Sequence, residues 1–372
     1  MSLQLERIEL TEIDLPLKYP FETSFGRTTR RRIMIVKVSD SSGAYGYGEC
    51  TAPEDPFYNH ETIDTAWIIT TNYIAPLLAQ SRVERASDVN QALLRIRGNR
   101  MAKGGVEAAI WDLEARLARS PLWKHIGGTQ TELACGVSIG LQESASALLE
   151  KVSKELDSGY QRIKIKIKPG RDINLVEAVR SRFPKVRLMV DANSAYTLAD
   201  IDILKRLDSY DLMMIEQPLM PGDLVDHSKL QRELSTPICL DESVLTASDA
   251  RHAAELGSCR IINVKLGRVG GHSEARMIQE FCANRQMPVW CGGMLESGIG
   301  RAHNIAMSTL AGFTLPGDVS ASERYWEEDV IVPPVTVSSR GTITPPTAPG
   351  IGYEVNEQRL NSLAVRREEI KL

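Results

Sequence analysis

Most of the information about the fold lies in three stretches, each an apolar run that ends in a carboxylate: Val186-Arg187-Leu188-Met189-Val190-Asp191, Asp211-Leu212-Met213-Met214-Ile215-Glu216 and Thr236-Pro237-Ile238-Cys239-Leu240-Asp241. The carboxylates fall 25 residues apart. Such a run predicts a buried parallel strand. The step between runs has room for one strand, one helix and two loops. Because parallel strands end at one edge of a sheet, the three acids are expected to converge on one point.

Residues 128–325 continue this pattern, because short apolar runs alternate there with segments of helical periodicity. The runs predict eight strands, at 133–139, 162–167, 186–190, 212–215, 238–240, 260–264, 288–290 and 313–315. Eight strands with helices between them indicate an α/β fold of the β/α-barrel type. The open doubly wound alternative needs a glycine-rich phosphate turn, and Gly127-Gly128 does not form one.

The first 127 residues have a different pattern, in which strands precede helices. Strands are predicted at 8–17, 33–38 and 44–50, and helices at 62–79, 84–97 and 103–118. We therefore predict an α+β domain at 1–127, a barrel at 128–325, and a C-terminal segment at 326–372 that packs back on the first domain.

A loop rich in aromatic residues is predicted between the first two strands, at Lys18-Tyr19-Pro20-Phe21-Glu22-Thr23-Ser24-Phe25-Gly26. Exposed aromatic side chains on a loop indicate a lid or a binding surface. A loop packed on its own domain explains them equally well.

Composition argues against several classes of function. A net charge of −4 is not that of a nucleic-acid-binding surface, and the basic run at 27–32 leads straight into a predicted strand. No run approaches the ~18 apolar residues of a membrane span, and the N-terminus lacks a secretory pattern. The six cysteines have no paired spacing, which predicts free thiols in a reducing cytoplasm. The six histidines form no zinc motif.

The strand-end acids Asp191, Glu216 and Asp241 predict a metal site, because three hard oxygen ligands at one edge suit Mg²⁺. A helix N-cap or a solvated loop would explain any one of them. Three acids at equal spacing favour the metal site. Glu242, directly after Asp241, is expected to be a neighbour of the site rather than a fourth ligand.

Lysines lie before and after these acids along the chain. In Arg162-Ile163-Lys164-Ile165-Lys166-Ile167-Lys168 the lysines alternate with isoleucines and share one strand face, and Lys265 ends a later strand as the acids do. Solvated strand ends would account for single lysines. A pair on opposite sides of a metal predicts catalysis, since a lysine crowded by cations has a lowered pKa and can act as a base.

These parts predict abstraction of the proton α to a carboxylate. One lysine removes the proton. The lysine on the other face can return one, which gives racemisation, or hold charge while a leaving group departs, which gives elimination.

With these acids and lysines, the sequence resembles the muconate lactonizing subgroup of the enolase superfamily. Within that subgroup it resembles the o-succinylbenzoate synthase/N-succinylamino acid racemase family. The resemblance covers nearly the whole chain. It is carried by seven motifs: Phe21-Glu22-Thr23-Ser24-Phe25-Gly26, Lys164-Ile165-Lys166, Val190-Asp191-Ala192-Asn193, Ile215-Glu216-Gln217-Pro218, Leu240-Asp241-Glu242-Ser243, Asn263-Val264-Lys265 and Cys291-Gly292-Gly293-Met294-Leu295-Glu296-Ser297-Gly298-Ile299-Gly300.

The resemblance implies a (β/α)7β-type modified TIM barrel under an N-terminal α+β capping domain, with Mg²⁺ as cofactor, Mn²⁺ as a substitute, and a homo-oligomer. Its implied metal ligands are Asp191, Glu216 and Asp241, and its acid/base pair is Lys166 and Lys265. Lys164 would be an electrostatic neighbour that favours the neutral form of Lys166. The implied substrate contacts are Ser138, Asn193, Gly293, Met294 and, in a mobile flap, Phe25. For Arg268, tuning of Lys265 and a structural role in its loop stay open.

Two reactions fit the resemblance best: syn dehydration to o-succinylbenzoate in menaquinone synthesis, and racemisation of N-succinyl or other N-acyl amino acids. A dedicated racemase is one alternative. Dipeptide epimerisation and muconate cycloisomerisation are less supported. A silent barrel that only binds its ligand is the non-enzymatic alternative, but none of the three acids or the two catalytic lysines is missing.

Overall fold

The N-terminal part of the chain is built on a four-stranded antiparallel sheet. The computed structural model describes residues 2–23 and 26–372. The strands are β1 (Leu5–Glu22), β2 (Arg27–Asp40), β3 (Tyr45–Cys50) and, from the far end of the chain, β15 (Ala364–Lys371), in the order β15-β1-β2-β3. Apolar residues that alternate along β1, such as Ile8 and Leu10, are buried, while the polar residues between them are more exposed.

The segment predicted as a loop at 18–26 is mostly the end of a long hairpin. β1 runs on to Glu22, and Phe21 and Glu22 pair with Thr28 and Arg27. The ladder is irregular between Pro16 and Phe21, where the chain has prolines that cannot donate a backbone hydrogen bond. The hairpin therefore reaches well beyond the sheet core.

The helices of this part are α1 (Ile63–Ile69), α2 (Ala75–Gln80), α3 (Val89–Ala92), α4 (Arg100–Leu117) and α5 (Leu122–His125). The helix α4 packs closely against the sheet, since a Cβ at Gly48 of β3 would overlap the carbonyl oxygen of Gly105 in α4. The prediction of one helix at 84–97 is wrong. Asp88 accepts hydrogen bonds from the backbone N–H groups of Glu84 and Arg85, and only a 3₁₀ turn and α3 follow.

After the two-residue strand β4 (Leu133–Ala134), seven parallel strands form a curled sheet in the order β11-β10-β9-β8-β7-β6-β5. They are β5 (Gly136–Ile139), β6 (Arg162–Lys166), β7 (Leu188–Asp191), β8 (Ile215–Glu216), β9 (Ile238–Leu240), β10 (Ile261–Val264) and β11 (Val289–Cys291).

The predicted eighth strand, at 313–315, makes only isolated bridges. Phe313 pairs with Val289 of β11, and Gly317 pairs with Cys135 beside β5. These two bridges join the last strand to the first. The predicted α/β barrel with a separate antiparallel N-terminal sheet is confirmed, and its closing strand is short.

Helices follow the barrel strands on the outside: α6 (Ala145–Asp157), α7 (Ile173–Arg182), α8 (Ile201–Arg206), α9 (Leu224–Glu233), α10 (Ala247–Leu256), α11 (Leu266–Val269), α12 (His272–Ala283) and α13 (Gly298–Ser308). The chain then returns to the N-terminal sheet through β12 (Ile331–Val332), β13 (Thr342–Ile343), β14 (Glu354–Val355), α14 (Glu357–Leu363) and β15. No helix in the described ranges is long and apolar enough to cross a membrane.

A small apolar cluster fills the inside of the barrel: Met189, Met214, Cys239, Ile261 and Trp290. The first three residues come two positions before Asp191, Glu216 and Asp241. Because side chains alternate along a strand, each acid points to the same side as its cluster residue, one layer nearer the strand ends. The barrel interior thus has a charged layer at the carboxyl ends of the strands and an apolar layer beneath it, farther from those ends.

Candidate active site

Three buried carboxylates stand at the ends of neighbouring barrel strands. Asp191 ends β7, Glu216 ends β8, and Asp241 directly follows β9. Asp191 and Glu216 are in register, and Glu216 is in register with Cys239, two residues before Asp241. All three acids are almost fully buried. The three acids therefore lie at the ends of their strands, as predicted.

The two lysines of β6 reach these carboxylates from one side. Lys166 Nζ donates to Asp191 Oδ2 at 2.6 Å and to Asn193 Oδ1 at 2.7 Å. Lys164 Nζ, one layer deeper, lies 3.0 Å from Glu216 Oε2 and 2.8 Å from Asp318 Oδ2. The two buried lysines of β6 therefore stand next to the buried carboxylates of Asp191, Glu216 and Asp318.

Lys265 reaches the same carboxylates from the other side, immediately after β10. Its Nζ donates to Asp241 Oδ2 at 2.8 Å and to the hydroxyl of Tyr58 at 3.0 Å. In the sheet, β6 and β10 enclose β7, β8 and β9. Lys166 and Lys265 thus flank the three acids from opposite sides.

Burial and charge act against each other on these groups. Burial lowers the pKa of Lys164, but the carboxylates of Asp318 and Glu216 outweigh it, so its pKa lies above the usual lysine range. Burial also lowers the pKa of Lys265, and the Tyr58 and Glu242 groups outweigh it in the same way. Both shifts follow from the acidic groups around these lysines. A lowered pKa in a lysine crowded by Mg²⁺ and another cation stays a prediction.

The pKa values of Asp191 and Glu216 are shifted in opposite directions. Burial opposes ionisation of Asp191, but the charges of Lys166 and Lys164 prevail and hold its pKa well below the usual range. Burial raises the pKa of Glu216, and the charge of Asp191 adds to that rise. A further positive charge near Glu216 would stabilise its ionised form.

The predicted metal ligands have the donor chemistry of a metal site but not its spacing. Within residues 2–23 and 26–372, no three His, Cys, Asp or Glu side chains stand at the spacing of a metal site, and the acids face lysines instead. The chemistry of the donors nevertheless suits a hard divalent cation, since Asp191, Glu216 and Asp241 offer only carboxylate oxygens. Beside them, Glu242 has a buried oxygen, Oε2, with no hydrogen-bond partner in the described structure. We conclude that the residues fit Mg²⁺.

A cavity of about 130 Å³ opens onto the lysines. Four of the predicted substrate contacts, Ser138, Asn193, Gly293 and Met294, line it together with Lys164, Lys166 and Lys265. Phe25, the fifth predicted contact, lies outside the described residues. The N-terminal part of the chain closes the other side of the cavity, with Phe21, Thr23, Thr28, Arg31, Pro53 and Tyr58.

The remaining predicted residues surround the acids. Glu242 Oε1 accepts a hydrogen bond from Asn193 Nδ2 at 3.1 Å. Arg268 forms an ion pair with Asp241 and donates to the carbonyl oxygen of Val244 at 3.1 Å. Its guanidinium therefore both contacts a site acid and holds the adjoining loop.

Sequence reasoning missed three residues that contact this group. Asp318 accepts from Arg162 at 2.7 Å as well as from Lys164, and Asn263 Nδ2 donates to Glu216 Oε1 at 2.6 Å. A signal for Asp318 existed, because it follows the predicted eighth strand as the other acids follow theirs. Tyr58 lies in an irregular loop, where no pattern points to a site.

Comparison with known proteins decides the family. Residues 147–359 match the family described as enolase C-terminal domain-like, and residues 7–127 match the N-terminal domain of mandelate racemase/muconate lactonizing enzyme. The chain belongs to the enolase superfamily. Members of this superfamily are generally Mg²⁺-dependent.

Relatives within the enolase superfamily narrow the assignment. The chain is 49% identical to an o-succinylbenzoate synthase from Geobacillus stearothermophilus, over 97% of this chain and 96% of that protein. It is 45% identical to an N-succinylamino acid racemase from Thermus thermophilus, over 95% of each. A solved enolase-superfamily structure from Listeria innocua superposes with a TM-score of 0.96 at 44% identity, over 99% of both chains. The predicted family, fold and enzymatic class are confirmed.

Proposed function

We propose that this enzyme abstracts the α-proton of a small carboxylate substrate, and that it catalyses dehydration to o-succinylbenzoate and racemisation of N-succinylamino acids. The observation that carries the proposal is that Lys166 and Lys265 line one cavity and stand on opposite sides of three buried carboxylates. The proposal is supported by two relatives, of which one is named an o-succinylbenzoate synthase and the other an N-succinylamino acid racemase. The domain boundaries, the cytoplasmic location and the homo-oligomer stay predictions.

Asp191, Glu216 and Asp241 would hold the Mg²⁺. When bound there, the cation supplies stabilisation of the negative charge that develops on the substrate carboxylate. Lys166 and Lys265, beside that position, would be shifted toward their neutral, basic forms when the site is occupied.

For racemisation, one of the two lysines takes the α-proton onto its Nζ while the other, already protonated, gives a proton to the opposite face. Asp191 and Asn193 accept hydrogen bonds from Lys166, and Asp241 and Tyr58 accept them from Lys265. These acceptors orient each Nζ and stabilise the ammonium form that proton abstraction creates.

For syn dehydration, the proton and the hydroxyl group leave from one face. The lysine that removes the proton therefore also protonates the departing oxygen, so that a C–H bond and a C–O bond break, a C=C bond forms and water leaves. The ammonium group on the opposite side needs no proton transfer and contributes only its charge.

A parallel assay tests this function. The protein with Mg²⁺ is given the hydroxy-cyclohexadiene carboxylate precursor of o-succinylbenzoate and, separately, N-succinyl-L-phenylalanine. Formation of the aromatic product and loss of optical rotation are the expected results. If neither substrate reacts and neither exchanges its α-proton in D₂O, the proposed function is wrong.

A further inference from the structure

A buried cation on the N-terminal side of the cavity forms no ion pair with any residue that the structure describes. Arg31 of β2 is only 5% exposed, and its one hydrogen bond among the described residues runs from Nη2 to the carbonyl oxygen of Thr51 at 3.1 Å. Its Nε is buried and has no hydrogen-bond partner within residues 2–23 and 26–372. The adjacent arginines differ, since Arg30 pairs with Asp14 and Arg32 with Glu12.

Such an arrangement needs an explanation. Arginine is rarely buried without a partner, because transfer of a charge out of water is costly unless hydrogen bonds or an opposite charge compensate it. A guanidinium group offers five N–H donors, and Arg31 uses one of them within the described structure.

The two acids with the largest electrostatic effect on Arg31 do not supply the missing charge. Glu49 has the largest electrostatic effect on Arg31, but its carboxylate is already bonded to Ser297 N, Ser297 Oγ and Gly300 N. Burial also raises the pKa of Glu49 to about 8, so that it is mostly protonated at neutral pH. Glu296, the next acid, accepts hydrogen bonds from Met294 N and Asn304 Nδ2.

A second buried arginine shows what a purely structural role looks like here. Arg301 also has a buried Nε without a partner, but its terminal nitrogens donate to the carbonyl oxygens of Ser320 and Glu296. Arg301 does not line the cavity, whereas Arg31 lines it together with the lysines. The unused donors of Arg31 thus belong to a group that a cavity ligand can reach.

We propose that Arg31 binds a second carboxylate of the substrate, at the end of the cavity away from the reacting carbon, and thereby selects dicarboxylates. The inference rests on the proposed function and adds the group that recognises the acyl tail. A guanidinium matches a carboxylate with two parallel hydrogen bonds, and burial strengthens such a pair. Binding would also give Arg31 the counter-ion that the described part of the chain does not provide.

The test compares two substrates of nearly the same shape: N-succinyl-L-phenylalanine, and its half-amide, in which a carboxamide replaces the distal carboxylate. For Arg31→Met with Mg²⁺, kcat/KM for racemisation of the succinyl substrate should fall about 10- to 100-fold, the usual range for one charge-assisted pair. In the same variant, kcat/KM for the half-amide should change by less than about 3-fold. Arg31→Lys, which keeps the charge, should be intermediate. Arg30→Met, on the same strand and away from the cavity, is the matched control.

Equal losses on both substrates, or no loss on either, would overturn the inference. A calorimetric measurement with N-succinylglycine and its half-amide separates this outcome from failure of the proposed function, because binding needs no turnover. If the wild-type protein is inactive but Arg31→Met selectively loses affinity for N-succinylglycine, the inference stands without the activity. If affinity for both ligands is unchanged, Arg31 is not a tail-binding residue.

Discussion

Lys265 and Tyr58 meet at the edge of the cavity, where Lys265 Nζ lies 3.0 Å from the tyrosine hydroxyl and 4.7 Å from the centroid of its ring. The lysine comes from a barrel strand end and the tyrosine from the loop that follows β3. One of the two proposed bases is therefore oriented by a residue from the N-terminal part of the chain, and Lys166 has no such contact in the described structure.

The substitution Tyr58→Phe removes the hydroxyl and keeps the ring. We expect α-proton exchange of the enantiomer that faces Lys265 to slow about 5- to 10-fold, because one hydrogen bond to the ammonium form is lost. Exchange of the other enantiomer should stay within about 2-fold of wild type. NMR in D₂O, with each enantiomer of an N-succinylamino acid supplied separately, measures both rates. Equal slowing of the two enantiomers would mean that Tyr58 only shapes the cavity.

Glu49 makes the stability of the protein depend on pH. Burial raises the pKa of Glu49 to about 8 in the folded state, whereas an unfolded glutamate ionises near pH 4.3. Between these values the folded state binds more protons than the unfolded state, so this group's contribution to the free energy of unfolding falls as pH rises. Above pH 8 it falls no further.

We therefore expect Glu49→Gln to flatten part of this dependence. Between pH 5 and pH 8, the wild type should lose roughly 2–4 kcal/mol more unfolding free energy than the variant. Urea denaturation of both proteins across this range measures the difference, with the exposed Glu6→Gln as control. Parallel curves for wild type and Glu49→Gln would show that Glu49 does not titrate in this window.

The strand-end carboxylates make a prediction about metal binding. Because Mg²⁺ binds the folded state through Asp191, Glu216 and Asp241 in the proposed function, adding it should raise the melting temperature of the wild-type protein. In Asp241→Asn the rise should shrink or vanish, since one carboxylate charge is lost. Thermal melts after EDTA treatment, with and without Mg²⁺, give the comparison, and Glu233→Gln on the exposed face of α9 is a matched control. An undiminished rise in Asp241→Asn would exclude this residue as a ligand.

The site residues that could be predicted from the sequence are those whose positions follow from their place on a strand of the barrel. Asp191 and Lys265 were found because each stands at the end of a predicted strand, and a parallel barrel places all such ends together. Arg31 and Tyr58 obey no comparable rule, since they reach the cavity only through packing of the N-terminal sheet and its loop over the barrel.

The errors have similar causes. The helix predicted at 84–97 has the right apolar spacing, and Ala86 and Val89 are indeed buried. The side-chain carboxylate of Asp88 nevertheless accepts hydrogen bonds from the backbone N–H groups of Glu84 and Arg85, and these set the backbone there. The groups that raise the pKa of Lys265 were not predictable either, because carboxylates and a hydroxyl reach it from distant parts of the chain.

The central claim is that Lys166 and Lys265 act as bases on opposite faces of one substrate. Solvent deuterium exchange into each enantiomer of an N-succinylamino acid tests it most directly, in Lys166→Ala and Lys265→Ala with Mg²⁺ present. Each variant should lose racemisation by about 10²- to 10⁴-fold and still exchange one enantiomer, a different one in each variant. Exchange of both enantiomers at near wild-type rates in either variant would contradict the two-base account.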